Sequence, residues 1–352
     1  MPRLAVAVIL ATSVAAATPG VGQTNVPMSA SSTIDGPLVL SKQGSFFINE
    51  RSVETAFPTV AGTVTAGHLS VRAMYVQYQI PQNRDANAYP MILVHGSNHT
   101  AKTYEETPDG RMGWAEYFVR RGVPVYVVEH AGRARSGFDP SLSNRAKAHD
   151  SASLAPTYRR RTNEQAWTNF RIGAQAFTPF ENTQFPVAAA EQYFAQMVPN
   201  TETSYPDSGQ ATVEALAKLL DRVGPAVLVV HSQSGAYGIA ATIARPALVK
   251  ALVSIEPGNC AVSDADVSSV FSRVPFLTVF GDFQNGNPGW ERLMANCAST
   301  VNKLKAVHGI AENIYLPDRG IRGNSHMMMM DRNNLRIGDL IVDWLAERRA
   351  AQ

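Results

Sequence analysis

An α/β fold organised around a doubly wound, mostly parallel sheet is predicted for this chain by three observations. Short apolar runs such as Met91-Ile92-Leu93-Val94 and Val227-Leu228-Val229-Val230 recur without polar alternation, the pattern of strands buried on both faces. Helix-patterned segments separate them, so successive strands are joined by right-handed crossovers. Small and polar residues cluster where the runs stop, and open parallel sheets place ligands at those carboxyl ends. At 352 residues the chain can bury one large core and still carry an insertion.

Taken in order, residues 1–22 carry the marks of a secretory signal: Arg3, an apolar run from Leu4 to Ala17, and cleavage positions after Ala17 or Gly22. The expected location is therefore secreted or periplasmic. Residues 23–43 are rich in Ser, Thr, Gly and Pro and read as a flexible leader, leaving 44–352 as the folded domain. No later run is apolar for long enough to insert stably in a membrane. Strands are expected at 44–48 and 69–80, with 70–78 alternating as a half-exposed antiparallel edge does. A polar turn at 83–89 precedes a buried strand at 90–94 that ends in His95-Gly96, and a helix at 114–121 leads to a strand at 124–128.

The alternation lapses over 138–207, which holds Tyr158, Trp167, Phe170, Phe177, Phe180, Phe185, Tyr193 and Phe194. So long an interruption reads as an inserted lid or cap, or as a peripheral layer whose aromatics pack on the sheet. Regularity resumes with a helix at 211–222, a strand at 226–230 and a helix at 236–244. Strands at 249–255, 275–280 and 313–316 follow, and a helix at 335–348 closes the chain. There is no internal repeat.

Composition narrows the function class. Lys plus Arg number 31 against 29 Asp plus Glu, a formal charge of +2, and no basic stripe interleaves with aromatics. That argues against nucleic acid as a partner, and Arg159-Arg160-Arg161 reads as a solvated face. Cys260 and Cys297 are an even pair in an exported chain and are expected to form a disulfide.

The chemistry centres on Val227-Leu228-Val229-Val230-His231-Ser232-Gln233-Ser234-Gly235-Ala236, where a buried strand breaks into small and polar residues and then a helix. This is how a nucleophile elbow reads: Ser232 stands on a strained turn, and the N–H of Gln233 faces a developing oxyanion. Val230 and Ser234 occupy the positions where G-x-S-x-G has glycine, and Ser234 remains a rival nucleophile. A base must reach the serine, and His326, in a polar loop beyond the last strand, is placed for it; His308 reads as a surface residue. In most α/β hydrolases, whose order of serine, acid and histidine this chain resembles, the acid that orients the base follows the seventh strand, but that position is Gln284, which carries no charge. Glu256, directly after the preceding strand, is favoured over Asp282. His95 and His99 are four apart, but on a strand-end loop and without a C-x-x-C or H-E-x-x-H companion, so no metal is expected.

Together, His231-Ser232-Gln233-Ser234-Gly235, Val253-Ser254-Ile255-Glu256-Pro257-Gly258 and the late His326 resemble a small group of secreted microbial esterases with the α/β-hydrolase fold. The match runs from about Pro90 to the last helix, while 138–207 resembles nothing in that group. In it the triad is Ser, Glu and His, with the glutamate after strand six. The resemblance implies hydrolysis of a small-molecule carboxylic ester without a cofactor, through an acyl-enzyme on Ser232 with Glu256 and His326. It also implies a second oxyanion donor from the backbone of Ser97 or Asn98; some relatives carry adjacent cysteines there, which this chain lacks. Trp167, Phe170, Phe177, Phe180 and Met327 are candidates to line an apolar substrate pocket, although the run Met327 to Met330 also suits buried packing. A lactonase or acyltransferase on the same triad, and a non-catalytic protein that binds a ligand under the lid, are the alternatives.

Overall fold

The computed structural model describes residues 36–58, 64–141, 143–144, 157–201 and 207–350. The expected signal segment lies outside them, as do most of the leader and residues 142, 145–156 and 202–206 of the insertion.

Strands β1 (Leu40–Ile48), β4 (Met74–Pro81), β5 (Met91–Val94), β6 (Val125–Val128), β7 (Ala226–His231), β8 (Val249–Ile255), β9 (Phe276–Phe280) and β10 (Ala311–Tyr315) form one eight-stranded sheet in the order β1-β4-β6-β5-β7-β8-β9-β10. From β6 to β10 every pairing is parallel, and β4 and β1 add two antiparallel strands at one side. A separate antiparallel ribbon pairs β2 (Arg51–Pro58) with β3 (Val64–Val71).

The sequence reading needs two corrections here. The strand expected at 69–80 is two strands, because Arg72 adopts φ 62° and turns β3 into β4. Alternation continues through the turn, so the break leaves no trace in the pattern. The edge is then β1, which pairs outside β4 and begins at Leu40, within the segment read as leader.

Among the described residues the helices of six or more residues are α1 (Trp114–Arg120), α2 (Asn163–Asn169), α3 (Ala190–Ala195), α4 (Asp207–Val223), α5 (Ser234–Ala244), α6 (Pro288–Ala306) and α7 (Asn334–Ala350). Sequence patterning missed α6, although Asn287 caps it through Trp290 N–H and Pro288 opens its first turn. Among the described residues no helix is long and apolar enough to cross a membrane.

Unbroken apolar strands make sense because both faces of the sheet are covered. Leu93, Val127, Val229 and Val253 point into a core shared with Trp114 and Phe118 of α1 and Ile337 and Ile341 of α7. Their neighbours Ile92, Val94, Leu228 and Val230 enter a second core with Leu216 and Leu220 of α4, Ile239 of α5 and Val301 of α6. The described part of the insertion has no core of its own. Trp167, Phe170, Phe185, Tyr193 and Phe194 join the first core together with Met327 to Met330.

Candidate active site

The turn between β7 and α5 has the expected strain. Ser232 holds φ 54°, a left-handed conformation that a non-glycine residue keeps only when its surroundings impose it. Three backbone bonds do so: Ser232 N–H donates to Ile255 C=O (3.0 Å), and Ser232 C=O accepts from Gly235 N–H (3.0 Å) and Gly258 N–H (2.8 Å). The turn closes tightly on its neighbours, since a Cβ on Gly235 would lie 2.8 Å from Pro257 Cβ.

The two rival serines have different surroundings. Ser234 is 0 % exposed; its hydroxyl donates to His95 C=O (2.5 Å) and meets His130 Nε2 at 2.7 Å. Both capacities of that hydroxyl are taken by structural partners. Ser232 retains 9 % exposure beside the loop that follows β5.

Glu256 emerges from β8, the sixth strand of the main sheet in chain order, at φ 48° and wholly buried. Its Oε2 accepts from His326 Nδ1 at 3.1 Å. Its Oε1 accepts from Arg171 Nη2 (2.5 Å), Gly281 N–H (2.5 Å) and Gln284 Nε2 (3.2 Å). Burial by itself raises the Glu256 carboxyl, but the Arg171 charge and the His326 bond outweigh it and hold the group at about 2. Gln284, at the place where the acid usually stands, instead supports an acid from the strand before. Asp282 is engaged elsewhere: its carboxylate accepts from Phe283 N–H (2.8 Å) and Gly323 N–H (2.9 Å).

His326 sits on a loop fastened from several sides. Asp331 accepts from Ser325 N–H (2.8 Å), Ser325 Oγ (2.8 Å) and Asn324 Nδ2 (2.9 Å), and burial pushes its carboxyl up to about 7. His231, the residue before Ser232, bonds His326 C=O through Nε2 at 3.0 Å, which ties the loop to the Ser232 turn. The His326 ring stacks on Phe170 at 5.3 Å and packs against Trp290 at 4.5 Å. Burial lowers its pKa, and the bond to Glu256 offsets only part of that. An ionised Glu256 on Nδ1 selects the tautomer with a bare Nε2, the form a general base requires.

The loop after β5 approaches Ser232 closely: a Cβ on Gly96 would lie 2.8 Å from Ser232 Cβ. Of the two candidate donors on this loop, Asn98 N–H is committed to Asn200 Oδ1 at 2.7 Å, which leaves Ser97 N–H. Asn200 also donates to Ser97 Oγ (2.8 Å), and Asn98 Nδ2 donates to Arg159 C=O (2.9 Å) and Val198 C=O (3.1 Å). Segments of the insertion thus hold the loop in place of adjacent cysteines.

The expected pocket residues scatter. Phe170 lies against His326, whereas Trp167 and Met327 are buried in the core. Phe177 is 52 % exposed, and Phe180 stacks on Phe283 at 4.0 Å. An apolar cleft around Met91, Val227 and Ala251 opens at the amino ends of the strands, opposite the site. The disulfide forms as expected between Cys260 and Cys297. Among the described residues no cluster is suited to a metal, and His99 is engaged with Ser97 C=O and Tyr193 Oη.

Arg171, Trp290, Asn200 and Asp331 were not anticipated. Arg171 alone carried a signal, as an isolated charge between Phe170 and Ile172 in an aromatic-rich stretch.

No family model matches the chain. In sequence it is 26% identical over 327 residues to a probable secreted lipase, phiG, of Fungal sp. (strain ATCC 74256), covering 78% of this chain and 86% of that protein. In structure it is similar to a novel bacterial esterase, with a TM-score of 0.85 and 41% identity, covering 89% of this chain and 98% of the other. With that identity spanning nearly the whole of the bacterial enzyme, this chain belongs to the α/β-hydrolase esterases, as a carboxylesterase- or lipase-like hydrolase.

Proposed function

We propose that this protein is an exported serine hydrolase of carboxylic esters that works through an acyl-enzyme on Ser232. The observation that carries the reading is the Glu256–His326 contact at 3.1 Å on a loop that docks beside the Ser232 turn. His326 Nε2 takes the Ser232 proton as Oγ adds to the ester carbonyl, and the N–H groups of Gln233 and Ser97 receive the oxyanion. The imidazolium, facing Glu256, passes that proton to the departing alcohol. Water then attacks the acyl-enzyme with the same histidine as base, releasing the acid and restoring Ser232. Export is supported by the signal-like residues 1–22 and by the secreted lipase among its relatives.

The test is hydrolysis of short p-nitrophenyl esters by the wild type, Ser232→Ala and Ser234→Ala, with fluorophosphonate labelling of each. Ser232→Ala lowers kcat by about 10⁴-fold or more and abolishes labelling. Ser234→Ala still labels but loses about 1–3 kcal/mol of stability, since it strands two buried polar partners. Undiminished turnover in Ser232→Ala overturns the assignment.

A further inference from the structure

Two residues of the run Arg159-Arg160-Arg161 are exposed, as expected of a solvated face, whereas Arg161 is half-buried. Arg159 bridges Asn200, and Arg160 is spent on the carbonyls of Met197 (3.1 Å) and Phe194 (2.9 Å). Arg161 turns toward the reaction centre. Its Nη1 donates to Ser97 Oγ (3.2 Å) and Asn98 Oδ1 (2.9 Å), on the loop that supplies the oxyanion donor. Its guanidinium lies 5.2 Å from the centre of the Phe170 ring, the same ring that stacks on His326.

The charge at this position is uncompensated. Among the described residues no carboxylate lies within ion-pair distance of Arg161, while Glu256 is shared by Arg171 and His326 and Asp282 is bound to backbone N–H groups. Burial pulls the Arg161 pKa below its usual value, so the cation is partly desolvated with only neutral acceptors. Among the described residues no acceptor meets Nε or Nη2, and neither atom is sealed from solvent. That free edge is the half of the guanidinium fork that grips a carboxylate with two parallel bonds.

We propose that Arg161 is the subsite for a carboxylate carried by the ester substrate, on its acyl or its alcohol side. The substrate class is then half-esters of dicarboxylic acids or acyl esters of hydroxy acids. This rests on the esterase reading above. A bound carboxylate would neutralise Arg161 beside the oxyanion loop and fix the ester relative to Ser232 through groups that do not react.

The experiment measures kcat/KM by pH-stat at fixed ionic strength for two matched pairs. Monoethyl adipate is set against ethyl hexanoate for the acyl side, and 4-acetoxybutanoate against butyl acetate for the alcohol side. The expected result is an about 10- to 100-fold preference for the charged member of one pair. Arg161→Gln removes that preference, and Arg161→Lys, which keeps charge but not the fork, falls between. In the unaltered protein, adipate inhibits competitively and more strongly than 1,6-hexanediol. Neutral esters hydrolysed as well as charged ones, a preference unchanged in Arg161→Gln, or equal inhibition by acid and diol would each overturn the subsite and leave the esterase standing. Failure to hydrolyse any of the four esters would instead overturn the esterase reading, and the subsite with it.

Discussion

Glu256 carries more contacts than orienting a histidine needs. One carboxylate oxygen serves His326, and the other is held by Arg171, Gly281 N–H and Gln284. Arg171 supplies the countercharge that keeps a wholly buried carboxyl ionised, and it stacks on Trp290 at 4.6 Å, which in turn packs on His326. Glu256→Gln keeps the shape but presents a neutral group to an imidazolium, so kcat falls by about 10²- to 10⁴-fold. Asp282→Asn touches only loop N–H groups and leaves kcat within about threefold, at some loss of stability; the opposite pattern in steady-state kinetics would move the acid to Asp282. The same geometry sets the acid limb of the wild-type kcat/KM profile. His326 is lowered from 6.5, so the base stays unprotonated and activity persists as pH falls to a midpoint below that value.

At the level of elements, the site is built from strand ends that the sheet order brings side by side: β7, β8 and β9 are neighbours, and Ser232, Glu256 and Gly281 follow them in turn. The disulfide braces this row from outside. Cys260 lies four residues beyond Glu256, and Cys297 lies on α6, the helix whose first turn presents Trp290 to His326. Closing 37 residues removes chain entropy from the unfolded state worth roughly 2–4 kcal/mol. Cys260→Ser with Cys297→Ser therefore lowers the urea midpoint, and Tm by about 3–6 °C; an unchanged midpoint would mean the loop is already constrained in the unfolded chain.

Over the whole molecule, neutral histidines are concentrated around the reaction centre. His95, His99, His231 and His326 are buried with pKa values below 6.5, His99 at about 3, chiefly through desolvation. Depressed bases stabilise the fold above 6.5 and lose that contribution on acidification, because the unfolded chain binds protons the folded one refuses. Asp331 acts oppositely: raised from 3.8 to about 7, it favours the fold at low pH and loses that as pH climbs through 7. Four lowered histidines outnumber the single raised Asp331, so stability falls as pH drops below 6.5. Urea midpoints at pH 7.0 and 5.5 measure it, and equal midpoints would contradict the burial of these groups.

Most of the fold was legible because it is written locally. Strands buried on both faces must be apolar without alternation, and a parallel sheet exposes its chemistry where such strands stop, so Ser232, Glu256 and His326 stood out as candidates from position alone. Parity of the two cysteines sufficed for Cys260 and Cys297. What lay hidden depends on contacts between distant segments. Arg171 meets Glu256 across 85 residues, and the Ser234 hydroxyl is held by a carbonyl 139 residues away, neither of which leaves a periodic trace. In the Arg159 to Arg161 run the first two residues are exposed as a solvated face would be, but residues 157–201 pack on the sheet's own core and turn Arg161 inward over Ser97. Sequence alone determined which chemistry the strand ends can offer; tertiary structure decided which atoms face one another, because burial and pairing of a polar group are properties of the neighbours that fold around it.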